Sequence, residues 1–384
     1  MWMKARFAPR SAALAALVAV SAIATARTPT ALKTAFKGDF VVGAAINAAQ
    51  ISGQDKVGDA IVEAQFNSIS PENCLKWANV HPLPGKYNFT LADQYVAFGQ
   101  KHHMFIVGHN LVWHNQVPAW VFRDSKGNLL GRDALLARMK DHILTVVGRY
   151  KGKIQSWDVV NEALNEDGTL RQSLWYKIIG PDYIAKAFEY AHEADPKAQL
   201  TYNDYNLALS EAKRNGAIKL IKELQAEGVQ IYSVGMQNHD TLTVPTAEQE
   251  DAAISAFGAL GLKVTISELD INVLPTPGYK PTADVTLSIK QNPKLNPYVN
   301  GLPGPVQKEL AERYAGLFRV FLKHRGVVER VTFWGVTNGD SWLNDWPVFG
   351  RTSYPLLFGR DGQPNSAFDA VIRVANRGGG GGSN

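Results

Sequence analysis

The sequence has very little cysteine, and it has no long apolar segment beyond its first 26 residues. Cys74 is the only cysteine among 384 residues, so no intramolecular disulfide can form, and a chain of this length can bury a sufficient core without one. No later apolar run approaches the roughly 20 residues needed to cross a bilayer. The patterns G-x-G-x-x-G, G-x-x-x-x-G-K-[ST] and G-x-S-x-G are also missing, which argues against dinucleotide, P-loop and serine-hydrolase chemistry.

The N-terminal segment accounts for most of the excess positive charge. Lys4, Arg6 and Arg10 precede an apolar run that ends at Ala24, and Ala24-Thr25-Ala26 provides a small-residue cleavage site. This order predicts a signal peptide over residues 1–26 and export to a periplasm or to the outside of the cell. The rest of the chain has 37 basic and 35 acidic residues, a net charge of +2. We therefore expect no nucleic-acid partner, and no membrane association of the mature form.

Eight short apolar segments alternate with longer amphipathic ones. The predicted strands are Val41–Asn47, Ser68–Asn73, Phe105–His114, Ser156–Glu162, Leu200–Asn206, Ser233–His239, Lys263–Ile271 and Val331–Thr337. The segments between them repeat apolar residues every three or four positions, as in the predicted helix that Ser210 caps and Gly228 follows. Buried strands joined by helices predict a single (β/α)8 TIM barrel over residues 27–377, with a flexible Gly-rich tail at 378–384.

Two glutamates stand at the carboxyl ends of predicted strands, where barrel enzymes hold their catalytic groups. Glu162 ends the fourth strand and Glu268 lies in the seventh, so the two face each other across the mouth of the barrel. Paired carboxylates across a cleft suit glycoside hydrolysis, with one as acid and the other as nucleophile or base. Structural ion pairs give the same pattern, so the pair alone is a weak signal.

Tryptophans strengthen the carbohydrate hypothesis. Five of them fall in or just after strand ends, where they are predicted to line one rim: Trp77, Trp113, Trp334, Trp342 and Trp346. A single tryptophan usually belongs to the core. Five near one rim, together with amide and carboxylate side chains, are typical of a cleft that stacks on sugar rings and binds their hydroxyl groups.

Seven segments, taken in order, are similar to one known family. They are Pro71–Trp77, Gly108–His114, Trp157–Ala163, Asn203–Asn206, Gly235–His239, Thr265–Asp270 and Phe333–Thr337. Together they resemble glycoside hydrolase family 10, whose principal activity is endo-1,4-β-xylanase. The resemblance covers about residues 40–375 and includes all eight predicted strands.

The resemblance implies a role for each site residue. Glu162 would be the acid/base and Glu268 the nucleophile of a retaining mechanism. His239 would bond to Glu268 and be oriented by Asp270, and Asn161 would hold the sugar 2-hydroxyl. The other substrate-binding residues would be Lys76, His109, Trp113, Gln237, Trp334 and Trp342 at the cleaved sugar, Glu72, Asn73 and Gln116 at the next sugar, and Tyr205 on the leaving-group side. Xylan or a xylo-oligosaccharide would be the partner of a monomeric enzyme that uses no metal and no cofactor.

Two positions depart from the family pattern. Asn338 stands where an aspartate is usual, which removes a charge from the rim and affects either pH dependence or loop support. Asn110 stands where threonine is usual. Neither position touches the two glutamates.

The long connection after the seventh predicted strand has two interpretations. Asn272–Pro305 holds seven of the 19 prolines, and loops of this length are usually functional or mobile. In the functional interpretation Tyr298 stacks on leaving-group sugars; in the other, the loop only covers the barrel.

Two other functions remain open at this stage. One is a related barrel glycanase that acts on cellulose or mixed β-glucan, and the other is a catalytically silent carbohydrate-binding barrel. The presence of both glutamates argues against the silent barrel, because a binding protein has no need of the pair.

Overall fold

The computed structural model describes residues 31–278 and 284–378, with side chains to residue 376. The predicted signal peptide and residues 379–384 of the predicted tail lie outside these ranges. The described strands are β1 Val41–Ile46, β2 Ser68–Pro71, β3 Phe105–Val112, β4 Ser156–Asn161, β5 Gln199–Asp204, β6 Ser233–Met236, β7 His239–Thr241, β8 Lys263–Asn272 and β9 Val328–Phe333.

Eight of these strands close into a parallel barrel. Their order around the barrel is β1 to β6, then β8 and β9, and β9 pairs with β1 to complete the circle. The short β7 pairs only with the outer end of β8, where His239 lies opposite Asp270. The predicted (β/α)8 barrel is confirmed.

Helices follow the strands and form the outer layer. They are α1 Leu32–Ala35, α2 Ala48–Ile51, α3 Lys56–Gln65, α4 Trp77–Val80, α5 Thr90–Lys101, α6 Arg132–Arg149, α7 Leu174–Ile179, α8 Tyr183–Ala194, α9 Glu211–Ala226, α10 Ala247–Gly258, α11 Gly304–Lys323 and α12 Ser366–Gly378, with 3-10 turns at Ala119–Phe122, Pro293–Leu295 and Trp342–Asn344. Ser210 caps α9 as predicted, since its hydroxyl accepts a hydrogen bond from the backbone N–H of Lys213. Within the described ranges, no helix is both long and apolar enough to cross a bilayer.

Several strands end before the polar residues that the sequence assigned to them. β2 ends at Pro71 and β4 at Asn161, so Glu72 and Glu162 begin the loops that follow. At both positions the backbone leaves the strand hydrogen-bonding pattern, and the glutamate side chain lines the cleft. The predicted Ser233–His239 strand likewise divides into β6 and β7.

The core lies between the barrel and the helices, and the barrel itself is filled with side chains. All six residues of β4 are buried, as expected for a strand covered on both faces. Inside the barrel, the hydroxyls of Ser156, Thr201 and Ser233 form a chain with spacings of 3.4 and 2.7 Å. Cys74 is a free, buried thiol whose pKa is raised to about 12 by burial.

Candidate active site

A cleft of about 640 Å³ opens at the carboxyl ends of the barrel strands. All fifteen side chains to which the family resemblance assigns a role line it: Glu72, Asn73, Lys76, His109, Trp113, Gln116, Asn161, Glu162, Tyr205, Gln237, His239, Glu268, Asp270, Trp334 and Trp342. The barrel brings them together because they lie in the outer parts of the strands or in the loops that follow the strands. Their individual roles remain predictions.

Glu162 is the first residue after β4 and is only 8% exposed. Its φ of 56° lies in the left-handed region, which is unfavourable for a residue with a Cβ. Two neighbours hold this turn: the Glu162 N–H donates to the Asn203 carbonyl at 2.9 Å, and Arg171 Nε donates to the Glu162 carbonyl at 3.0 Å. The turn points the carboxyl into the cleft.

The Glu162 carboxyl meets neutral donors. Trp113 Nε1 donates to Oε2 at 2.9 Å and Gln237 Nε2 donates to Oε1 at 3.1 Å. Burial raises the pKa of Glu162, the nearby charge of Asp204 adds to this effect, and the two hydrogen bonds offset only part of it. A carboxyl in this setting retains its proton to higher pH, as a general acid requires.

Glu268 lies within β8 and is 5% exposed, so it is as deeply buried as Glu162. Asn203 Nδ2 donates to its Oε1 at 2.8 Å, and His239 Nε2 lies 3.2 Å from its Oε2. Burial by itself would raise the pKa of Glu268, but the hydrogen bond from His239 and the charges of His109 and His239 lower it overall. This carboxylate is therefore ionised when Glu162 is protonated.

His239 is held in a charged state by two carboxylates. Its Nδ1 lies 3.2 Å from Asp270 Oδ1, and its Nε2 faces Glu268. Although burial lowers the pKa of His239, the charge of Asp270 and the contacts with both carboxylates raise it to about 10. The predicted contact of His239 with Glu268 and with Asp270 is present.

Amide side chains join the two glutamates. Asn161 Oδ1 accepts from Asn203 Nδ2 at 2.8 Å and from Gln237 Nε2 at 3.3 Å. Since Asn203 also bonds Glu268 and Gln237 also bonds Glu162, one network fixes both carboxyls. Ser267 Oγ, which donates to Asn203 Oδ1 at 2.6 Å, sets the direction of the Asn203 amide.

A second group of polar residues follows β2. Lys76 Nζ donates to Asn73 Oδ1 at 3.2 Å, and Gln116 Nε2 donates to the same oxygen at 3.3 Å. Burial raises the pKa of Glu72 to about 7, partly offset by Lys76, and burial lowers the pKa of Lys76. The three residues predicted for the second sugar, Glu72, Asn73 and Gln116, therefore form one polar wall with Lys76.

Four of the five predicted rim tryptophans line the cleft, and one does not. Trp342 and Trp346 stack with ring centroids 4.9 Å apart, and Trp342 Nε1 donates to Asp270 Oδ2 at 2.6 Å. The prediction for Trp77 is wrong: its ring is buried and stacks on His142 of α6 at 3.6 Å. Lys76 takes the cleft position, so the next residue, at the start of α4, faces the helix layer.

The long connection contributes to the cleft through residues other than Tyr298. Among the described residues that line the cleft, it supplies Thr276, Pro277 and Val285. Tyr298 instead packs against the core, and its carbonyl accepts a hydrogen bond from Tyr354 Oη at 2.8 Å. Tyr298 is therefore not among the residues that line this cleft, and its contacts favour the interpretation in which the loop covers the barrel.

Asn338 supports loops. It is 3% exposed, and its Oδ1 accepts from the backbone N–H of Leu356 at 2.9 Å. Its carbonyl accepts from Asn344 Nδ2, also at 2.9 Å. Of the two effects expected at this position, loop support is the one that the contacts favour.

The sequence assigned no role to two residues that organise the site. Asn203 was recognised only as part of a strand-end motif, yet it bonds both Asn161 and Glu268. Arg171 bonds the carbonyls of Glu162 and Leu164 and the hydroxyl of Tyr205. A polar residue at the buried end of β5 was a usable signal for Asn203, whereas Arg171 lies in a loop with no recognisable pattern.

Comparison with known proteins identifies relatives over most of the chain. The model of Glycosyl hydrolase family 10 matches residues 31–374. Endo-1,4-β-xylanase A of Xylanibacter ruminicola is 46% identical over 336 residues, covering 87% of this chain and 90% of that protein. An endo-1,4-β-xylanase of Geobacillus stearothermophilus is 40% identical, covering 89% and 98%.

Solved structures give the same result. A GH10 endoxylanase retrieved from a sugarcane soil metagenome matches with a TM-score of 0.86 and 44% identity, covering 90% of this chain and 99% of that one. A mutant structure in complex with xylotriose matches with a TM-score of 0.80 and 35% identity, covering 89% and 99%. Both sequence and fold are therefore shared over nearly the whole described region.

Proposed function

This chain belongs to glycosyl hydrolase family 10, and we propose that it is an endo-1,4-β-xylanase that cleaves internal β-1,4-xylosidic bonds of xylan with retention of configuration. The curated relatives named above are endo-1,4-β-xylanases, and one related structure holds xylotriose. The observation that carries the proposal is the pair of buried carboxyls in one cleft, Glu162 with a raised pKa and Glu268 with a lowered one.

In the first step, the Glu268 carboxylate attacks the anomeric carbon while Glu162 gives its proton to the glycosidic oxygen. The bond to the leaving sugar breaks, and a covalent glycosyl–enzyme ester forms on Glu268. The split in pKa values supports this division of labour, since a nucleophile must be ionised and an acid must be protonated at the same pH.

In the second step, Glu162 is now a carboxylate and removes a proton from water. That water attacks the anomeric carbon, the ester bond to Glu268 breaks, and two inversions give net retention. The neutral hydrogen bonds from Trp113 and Gln237 suit both steps, because they hold the Glu162 carboxyl without fixing its charge.

Asn161 strengthens the transition state in this proposal. Its amide oxygen accepts from Asn203 and Gln237, so its NH₂ group is the part offered to the sugar 2-hydroxyl. Hydrogen bonds to that hydroxyl strengthen as the oxocarbenium-like transition state develops.

Trp342 supports xylan rather than cellulose as the substrate. Xylose lacks the C5 hydroxymethyl of glucose, so a tryptophan can close over that position. By the family resemblance Trp342 would do so, and its hydrogen bond to Asp270 and its stacking on Trp346 hold its ring in place. We expect kcat/KM on an aryl xylobioside to exceed that on an aryl cellobioside by about tenfold or more, with each 1.4 kcal/mol contributing tenfold.

The test of specificity compares the wild type with Trp342→Ala. The variant should lose most of the preference for the xylobioside, because the barrier to the hydroxymethyl group is removed. Reducing-sugar release from xylan, cellulose and glucomannan, measured side by side, covers the polymers. Equal efficiency of the wild type on both aryl glycosides would contradict the proposed substrate.

Covalent trapping tests the mechanism. A xylobioside with fluorine at C2 and a reactive aryl leaving group forms the ester quickly and hydrolyses slowly, so the intermediate accumulates. Peptide mass spectrometry should find the sugar on Glu268. A label on Glu162, or rapid turnover with no labelled peptide under any condition, would contradict the assignment.

We further propose that the enzyme is exported after removal of residues 1–26. The basic, apolar and small-residue order of that segment supports this. N-terminal sequencing of protein recovered outside the cytoplasm should begin at Arg27. Full-length protein that stays in the cytoplasm would contradict export.

A further inference from the structure

A buried lysine lies behind the leaving-group side of the cleft. Lys213 belongs to α9, and its side chain is fully buried. Its Nζ lies 3.0 Å from Asp204 Oδ1 and 3.1 Å from Glu166 Oε1, and it stands 3.2 Å from the centroid of the Tyr205 ring. None of these contacts involves Glu268, whose hydrogen-bond partners are Asn203 and His239.

The same lysine is linked to the catalytic acid through the loop of residues 163–172, which we call the acid/base loop because it follows Glu162. Tyr205 Oη accepts a hydrogen bond from Arg171 Nη2 at 3.2 Å, and Arg171 Nε donates to the Glu162 carbonyl. A continuous set of contacts thus runs from α9 through the Tyr205 ring to the backbone of Glu162.

Glu166 ties the acid/base loop to α9 and to the segment before it. Besides its contact with Lys213, its Oε2 accepts from Asn206 Nδ2 at 3.1 Å, and its carbonyl accepts from Ser210 Oγ at 3.0 Å. Glu166 therefore meets three different residues between positions 206 and 213.

A close backbone contact fixes the loop at a second point. Gly216 of α9 faces Gly168, and a Cβ placed on Gly216 would stand 2.3 Å from the Gly168 carbonyl oxygen. A Cβ on Gly168 would stand 2.3 Å from the carbonyl oxygen of Ala212. Because backbone atoms occupy these spaces, neither position accepts a side chain without moving the loop.

Stability alone does not explain why the charged Lys213 is buried. Removing an ammonium from water is costly, and replacing a buried ion pair by apolar groups is often neutral or stabilising. Lys213 contacts both Tyr205 in the cleft and Glu166 in the acid/base loop. Its three N–H donors can therefore fix the positions of these two groups relative to each other.

We propose that Lys213, together with the close contact at Gly216, positions Tyr205 and the acid/base loop for the leaving-group sugar. The inference rests on the proposed xylanase function and deepens it. Lys213 does not touch the substrate; it acts through Tyr205 and through the loop that follows Glu162. Its loss should therefore affect cleavage that depends on leaving-group sugars and spare glycone binding.

The test compares two substrates that differ chiefly in their leaving groups. Xylohexaose fills that side with sugars and needs a proton from Glu162, whereas β-xylobiosyl fluoride loses a single atom that needs little protonation. For Lys213→Met we expect kcat/KM on xylohexaose to fall by about tenfold or more and on the fluoride by less than about threefold. Lys219→Met, an exposed lysine of the same helix, should change neither.

A second variant keeps the test valid if Lys213→Met fails to fold. Gly216→Ala should give the same selective loss by pushing the acid/base loop off α9, while Gly148→Ala, a helical glycine with open space around it, should not. With reducing-end-labelled xylohexaose, both site variants should also shift the distribution of cleavage positions.

The outcomes separate the two proposals. If the wild type hydrolyses neither substrate, the xylanase function is wrong. If the wild type is active and both folded variants lose activity equally on the two substrates, or on neither, Lys213 and Gly216 have no positioning role. Unchanged cleavage positions in both variants would also overturn the inference.

Discussion

The surroundings of Glu162 and Glu268 differ although the two side chains are equally buried, at 8% and 5% exposed. Around Glu162 the donors are the neutral groups of Trp113 and Gln237, with the acidic Asp204 nearby. Around Glu268 the neighbours include His239, which carries charge because its pKa is about 10. Burial raises the pKa of both carboxyls, and only the neighbours separate them.

This difference shows how one cleft supplies an acid and a nucleophile at one pH. Both carboxyls lie at the mouth of the barrel, with Glu162 directly after β4 and Glu268 within β8. The distinction comes from the surrounding residues. Trp113 after β3 and Gln237 after β6 give Glu162 an indole and an amide N–H, whereas His239 of β7 gives Glu268 an imidazolium. The predictions below alter one residue at a time.

The largest effect is expected from removing each carboxyl. Glu268→Ala and Glu162→Ala should both lose more than about 10³-fold in kcat on xylan. With an aryl xylobioside, Glu162→Ala should still form the ester on Glu268, because a good leaving group needs little protonation. Added azide should then restore turnover and give the β-glycosyl azide.

Glu268→Ala should respond to azide differently. No ester can form, so azide enters the vacated space directly and gives the α-glycosyl azide. Nuclear magnetic resonance of the products distinguishes the two anomers. An α product from Glu162→Ala, or a β product from Glu268→Ala, would show that the roles are reversed.

His239→Gln should remove the charge that lowers the pKa of Glu268. The pKa of Glu268 then rises, so the acidic limb of kcat/KM against pH should move to higher pH by about one unit, with activity lower by about tenfold or more. His102→Gln, at the start of the chain segment that enters β3, is the control because His102 pairs with Glu63. An acidic limb that stays in place would contradict the proposed role of His239.

Trp113→Phe should move the alkaline limb of kcat/KM against pH, and by less than His239→Gln moves the acidic limb. Trp113 donates a hydrogen bond that lowers the pKa of Glu162, so its loss should raise that pKa further. The alkaline limb of kcat/KM should move to higher pH by less than about one unit. Movement of the alkaline limb to lower pH would mean that the indole does not favour the ionised form.

The same comparison shows how far the sequence predicts the site. Glu162, Glu268 and most other cleft residues lie in or just after the outer parts of apolar strands, which the barrel topology gathers at one face. Position along the chain therefore predicted where they meet, while their roles came from the family resemblance. Trp77 shows where this reasoning fails. It also follows a strand end, but the preceding residue, Lys76, points into the cleft, and Trp77 is therefore directed into the core.

Contacts between loops were beyond the sequence for a different reason. Of the two interpretations of the long connection, the one that placed Tyr298 against the sugars rested only on its loop leaving the nucleophile strand, and Tyr298 packs against the core. The sequence alone does not show that Arg171 contacts Tyr205 or that Gly168 contacts Gly216. These contacts depend on how the acid/base loop packs against β5 and α9, which lie far from it in the sequence.

The smallest effect on activity is expected at Glu250, a carboxyl whose pKa is raised by burial but which has no proposed part in catalysis. It lies outside the cleft in α10, and burial raises its pKa from 4.5 to about 7, offset in part by the Asn238 amide and Arg313. Because the pKa of Glu250 is higher in the folded than in the unfolded protein, its protonated carboxyl contributes fully to stability below about pH 4.5. This contribution is lost as the pH rises to about 7. Asp240, also with a raised pKa, shares this buried region.

Glu250→Gln cannot ionise, so the free energy of unfolding should fall less between pH 4.5 and 7, by about 1–3 kcal/mol. Its amide oxygen still accepts from Asn238, and kcat/KM should stay within about twofold of the wild type. Denaturant titrations at several pH values measure this, with the exposed Glu309→Gln as the control. An unchanged pH dependence would show that Glu250 is ionised in the native protein.

The central claim is that neighbours, and not burial, give the two glutamates different charges. Carbon-13 nuclear magnetic resonance of protein labelled at glutamate Cδ follows both carboxyls directly, with Glu162→Gln and Glu268→Gln assigning the signals. We predict that Glu162 titrates above the ordinary value of 4.5 and Glu268 below it. Titration in the opposite order, or of both above 4.5, would contradict the claim.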